Sequence, residues 1–224
     1  MRAAPYAAPM PRGRYSLHDP YDGTPLGEER FQCAPGPHGW RYVSRTTAPD
    51  GAEAGSLDLT LDDLGRPLRL ELHAGAWQVR GAALSGVTWV RTDPTGEHAQ
   101  EGNAPAHAFT GRSPAHLLAV AQLLRPAPGA GGVRVRLVEF TEPHLAPRTR
   151  DEVWTLLGSE THSADGGGDG GDGGAALTVH AYRVDDQETG QAHTVHLAGD
   201  VVLSAPGVEL EELDSPPSAI TTVG

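Results

Sequence analysis

The sequence predicts a mainly β fold: an antiparallel barrel-like or half-barrel sheet of about ten strands, with one helix. Three observations carry this. Short segments of alternating apolar and polar residues recur along most of the chain. Clusters of Gly, Pro and Asp punctuate them at short, fairly even intervals. A single stretch, 113–125, changes to the helical period.

The strand-like segments follow in order. "LGEERFQ" (26–32) precedes the turn "APGPHG", and "WRYVSRTT" (40–47) is aromatic and β-branched. Leu57, Leu59 and Leu61 alternate with polar residues, and so do Leu68, Leu70 and Leu72 beyond the turn "DDLGRP". "AWQVRGA" (76–82) and "GVTWVRT" (86–92) continue a meander, and 93–112 reads as a polar loop. In the helix, Ser113 is the N-cap and Pro114 fits the first turn. Leu117, Leu118, Ala121 and Leu124 form its stripe, Arg125 suits its C-terminal end and Pro126 stops it. "GGVRVRLVEFTE" (131–142), "VWTLLGSETH" (153–162), "ALTVHAYRV" (176–184), "AHTVHLAG" (192–199) and "DVVLSA" (200–205) complete the sheet, with "PHLAPRTRDE" as a connection.

The expected organisation is a flexible arm over 1–20, one β-rich domain over 21–213 and a loose tail over 214–224. "ADGGGDGGDGG" (164–174) is a low-complexity loop, expected to be disordered. Two stretches, 26–92 and 131–207, share a rhythm. Trp40, Ser44, Leu57-Leu59-Leu61 and Asp62-Asp63 in one answer Trp154, Ser159, Leu177-Val179-Ala181 and Asp185-Asp186 in the other. Either the chain holds a duplication, or this is the rhythm any two meanders share.

Composition narrows the function. The 224 residues carry a formal net charge of −12, which opposes binding to nucleic acid or to an anionic membrane surface. All 17 basic residues are arginine, and with the Ala, Gly and Pro content this points to a GC-rich genome. One cysteine, Cys33, excludes an internal disulfide. No apolar run has the length of a signal peptide or a membrane helix, so the expected location is the cytoplasm, with no integral membrane segment.

No catalytic or metal signature stands out. There is no HExxH and no Cys/His pair at zinc spacing among the 11 histidines, so no metal and no cofactor are expected. His193 and His196 fall on opposite faces of a strand. No G-x-S-x-G elbow is present, and the glycine loop 164–174 bears aspartates where an anion would sit. Arg69, Arg80, Arg134 and Arg136 oppose the apolar faces: either they meet solvent, or they line a polar cavity. The four tryptophans either fill the core or line a pocket.

The layout resembles the glycolipid-binding protein family of bacteria, which has two β-rich halves in a barrel-like sheet. "GWRYVSR" (39–45), "AWQVRG" (76–81), "VRVRLVEFTEP" (133–143) and "GDVVLSAPGVELEEL" (199–213) carry the resemblance. It implies a binder of hydrophobic ligands. The first expected function is therefore a soluble protein binding an apolar or amphipathic small molecule in a β-barrel cavity. Trp77 and Trp89 would line that cavity, with His73, Arg69, His180 and Tyr182 as its polar groups. The alternatives are a cofactor-free cyclase or isomerase of natural-product biosynthesis, and a structural or interaction protein with a filled core.

Overall fold

A computed structural model describes residues 10–36, 39–162 and 176–218. The loop 164–174, residues 1–9 of the arm and residues 219–224 of the tail thus lie outside the described residues.

The first meander runs through β1 (Arg12–His18), β2 (Pro25–Gly36), β3 (Gly39–Thr47), β4 (Glu53–Asp62), β5 (Pro67–Ala74), β6 (Trp77–Ala83), β7 (Val87–Thr92) and β8 (Ala99–Ala104). Then come β9 (Ala108–Thr110) and the helix α1 (Pro114–Leu124). The second meander is β10 (Val133–Thr141), β11 (Ala146–His162), β12 (Leu177–Asp186), β13 (Ala192–Ala198), β14 (Val201–Ala205) and β15 (Val208–Leu213). All fifteen strands belong to one sheet, in the order β8 through β1, then β15 down to β9. β1 and β15 pair antiparallel and join the two meanders.

The sheet has more strands than the expected ten, for identifiable reasons. Residues 12–18, read as part of a flexible arm, form β1 at the middle of the sheet. Tyr15 and Leu17 point inward there, a pattern hidden beside a Pro/Arg-rich start. β8 and β9 lie in the segment read as loop: "AQEGNA" has no apolar alternation and pairs with β7 through its backbone, and β9 has three residues. β15, "VELEEL", lies in a stretch quoted for the family resemblance but not read as a strand, because the pair Glu211–Glu212 breaks its alternation. The connection read before residue 153 is the first half of β11, in register with β10 from Thr141↔Ala146 onward.

The sheet curls but does not close. β8 and β9 end it without pairing each other. Yet the Trp89 ring of β7 meets the Phe140 ring of β10 edge-on at 5.8 Å, and a Cβ on Gly81 of β6 would lie 2.8 Å from the Phe109 ring of β9. α1 fills the curl. Its residues Ala115, His116, Leu118, Ala119, Val120 and Ala121 are all buried, a wider face than the expected stripe. Its C-terminal end meets the β4–β5 turn, where Arg125 donates to the Asp63 carbonyl at 2.6 Å. Gly65 in that turn has φ +80°, and any Cβ there would strike the helix backbone at Gln122 and Leu123.

The leucine faces are therefore core. Leu57, Leu59, Leu61 and Leu70 are buried in one continuous cluster with the helix residues. Leu68 departs from the expected face and is 43 % exposed. A bulge explains it: Thr60 pairs with Arg69 and Leu61 with Pro67, so Leu68 is the extra residue and turns outward. The strand arginines lie outside. Arg69 and Arg80 flank Glu71 at 2.7 and 3.0 Å, and Arg134 and Arg136 bind Asp151 at 2.9 and 2.8 Å.

Candidate functional site

β9 and β10 are parallel neighbours, and α1 is the crossover between them. A helix that starts at the end of such a strand presents unpaired backbone N–H groups there, a common place for ligands. Here the junction is Gly111, Arg112 and Ser113. Ser113 caps the helix, accepting from the Ala115 N–H at 3.3 Å, with Pro114 in the first turn.

A buried acid faces this junction. On β2, Gly27, Glu29, Phe31 and Cys33 alternate inward, and Glu29 is 1 % exposed. Tyr42 of β3 donates its hydroxyl to Glu29 Oε1 at 2.7 Å, and Ser113 donates to the same oxygen at 2.8 Å. Ser44 Oγ also faces the carboxyl closely enough to favour its charged form, though outside good hydrogen-bond geometry. Burial outweighs these three hydroxyls and raises the Glu29 pKa to about 7. A row of stacked rings braces the strands beneath: Tyr15 on Phe31 at 4.7 Å, Phe31 on Tyr42 at 5.6 Å.

His116 lies one turn into α1 and is 3 % exposed. Its Nδ1 is buried and has no hydrogen-bond partner among the described residues. Burial lowers its pKa to about 4, so the ring is neutral near pH 7. Glu29, Ser113 and His116 line one cleft with Leu17, Leu26, Leu57, Leu72 and Phe140. Its volume at the scale of a water molecule is about 50 Å³. That holds a polar head group or a few waters, and it is far below the several hundred Å³ of a site that encloses a whole drug-sized ligand. Arg112 and Glu142, paired at 2.8 Å, stand at its rim.

Of the residues expected to form a site, His73 alone lines this cleft. Trp89 touches it indirectly, through Phe140. Trp77 lies against the Arg91 guanidinium at 3.9 Å and edge-on to His144. Arg69 is exposed. His180 and Tyr182 lie together on β12 in the second meander, where His180 Nδ1 is 2.7 Å from Ser159 Oγ and Tyr182 packs on Trp154. The six do not converge. Glu29, Tyr42 and His116 were not singled out, and Ser113 was read only as a cap. The available signal was an acid on the inward face of a strand, in line with Phe31 and Cys33. Among the described residues, no group of three or more His, Cys, Asp or Glu is placed to hold a metal ion, and no helix is long and apolar enough to cross a membrane.

No protein-family model and no curated protein matches the sequence. Solved structures that match the chain include two proteins. One is a DUF1089 family protein from Pseudomonas aeruginosa, 14% identical, with a TM-score of 0.53 over 82% of this chain and 92% of that one. The other is a beta-barrel-like protein of the domain of unknown function DUF1849 from Brucella abortus, 14% identical, with a TM-score of 0.43 over 94% of this chain and 98% of that one. At 14% identity the first likeness bears on the fold alone.

Proposed function

We propose that the protein binds an amphipathic small molecule, polar end first, in the cleft at the start of α1. The observation that carries this is the meeting, around one cleft, of leucines with a buried acid and a buried histidine whose Nδ1 has no partner among the described residues: Glu29 and His116. A buried polar atom without a partner costs roughly 1–3 kcal/mol, and a ligand or water that pairs it recovers part of that cost. The apolar part of the ligand rests on Leu26 and Leu72, the half-buried leucines of the cleft lining. It does not lie in a barrel lumen, because α1 occupies that space. The sequence resemblance to glycolipid-binding proteins is in keeping with an amphipathic ligand, without naming it.

Native mass spectrometry of the purified protein, followed by solvent extraction, tests this reading. It expects an amphipathic adduct that is lost in Gly111→Val, a change that pushes a side chain against the His116 ring, where even a Cβ comes within 3.2 Å. An adduct retained by a folded Gly111→Val protein would contradict the location. A bare mass, with no uptake of added Nile red, would contradict the function.

A second reading, a cofactor-free isomerase, rests on one observation. A carboxyl titrating at about 7 stands beside a neutral histidine in a cleft, as proton transfer requires. Exchange of α-hydrogens of 2-hexanone for deuterium in D₂O, faster with the wild type than with Glu29→Gln, is its expected sign. Equal exchange rates would dismiss it.

A further inference from the structure

We infer that the cleft selects ligands with an uncharged polar head, a hydroxyl or carbonyl group, which it takes between the Glu29 carboxyl and the His116 ring, and that it turns anionic heads away. The inference rests on the binding reading above and adds the chemical class of the ligand.

The hydrogen bonds fix which oxygen is available. Tyr42 and Ser113 each have one hydroxyl proton, and both are directed at Oε1. Ser113 also accepts the Ala115 N–H, while its own proton goes to Glu29 Oε1. The carboxylic proton of Glu29 is therefore placed on Oε2, the oxygen that neither of these two hydroxyls reaches, with Ser44 Oγ as a third hydroxyl near the carboxyl. His116 supplies the complementary group, a neutral ring that lines the same cleft and whose Nδ1 has no partner among the described residues. A hydroxyl satisfies both groups, and a carbonyl satisfies the donor.

Anions are disfavoured by what already occupies the helix start. The positive end of α1 faces the Glu29 carboxyl through Ser113, so the protein's own acid takes the place an anionic ligand would use. Among the described residues, the arginine at the rim, Arg112, is paired with Glu142. Other ionisable groups near Glu29 bring no positive charge: Tyr15, Cys33 and Tyr42 are buried with their pKa values pushed up, and His116 is neutral. His73 stands on the β5 side of the opening.

The test uses three six-carbon probes on the full chain: 1-hexanol, 2-hexanone and hexanoate. Binding is read from the backbone amide shifts of Ala115 and His116 at pH 6 and pH 8. Hexanol and hexanone are expected to move both amides, and hexanoate to leave them in place. Hexanone, which needs the Glu29 proton, is expected to bind about tenfold more weakly at pH 8, following the protonated fraction of a group with a pKa of about 7. Glu29→Gln keeps a donor at all pH values and is expected to remove that difference. Hexanoate moving these amides at pH 8 as strongly as hexanol would overturn the selectivity and leave the binding reading intact. Equal hexanone affinity at both pH values would overturn the role of Glu29. Silence from all three probes would overturn both readings.

Discussion

Glu29 and His116 are shifted in opposite senses by the same burial, and this has a measurable signature. Glu29 is raised from 4.5 to about 7, so between those values the folded state holds a proton that the unfolded state has lost. Its contribution to stability is full below pH 4.5 and is lost as pH rises to 7. His116 is lowered from 6.5 to about 4, so the unfolded state holds the extra proton. Its contribution is full above pH 6.5 and is lost as pH falls to 4. Each shift is worth on the order of 3 kcal/mol, and from pH 4.5 to 6.5 the two slopes nearly cancel. Urea unfolding across this range is expected to separate them. Relative to wild type, Glu29→Gln should gain stability with rising pH and His116→Phe should lose it. Parallel curves for all three proteins would show that neither group is shifted.

At the scale of the element, α1 and the β4–β5 hairpin make distinct predictions. Ser113→Ala removes a helix cap and a donor to Glu29 together. It should cost about 1–2 kcal/mol in thermal or urea unfolding and raise the Glu29 pKa further. The bulge predicts unequal leucines: Leu70→Ala should cost about 2–5 kcal/mol, and Leu68→Ala less than about 1 kcal/mol. The helix was legible in the sequence because its cap, its period and its terminating proline agree. The leucine strands were legible because their alternation is clean, but alternation counts residues and cannot see the extra one that turns Leu68 outward. β8 was hidden because an edge strand held by its backbone needs no apolar face. The site was hidden for a related reason. Glu29, Tyr42 and Ser113 come from β2, β3 and the start of α1, and only the curl of the sheet brings them together.

At the scale of the molecule, the seam between β1 and β15 holds the two meanders in one sheet. Tyr15 sits at this seam, stacking on Phe31 and accepting the Val202 N–H at 3.0 Å. Tyr15→Phe leaves that buried N–H without its acceptor and should cost about 1–3 kcal/mol in urea unfolding. Deleting residues 1–19 should cost far more, because it strips β1 from between β2 and β15 and uncovers two strand edges. A truncated chain that unfolds with wild-type cooperativity would show that the meanders do not depend on the seam. The interior is filled by a helix, and the proposed binding cleft lies at one end of it.

The most direct measurement of the central claim is the ring ¹⁵N spectrum of His116, followed by pH titration and by addition of 1-hexanol. The expected result is a neutral ring at pH 5.5 whose Nδ1 resonance moves as hexanol is added, in keeping with a buried nitrogen that has no partner among the described residues, in a ring that lines the proposed cleft. A ring that is charged at pH 5.5, with an Nδ1 resonance indifferent to hexanol, would contradict it.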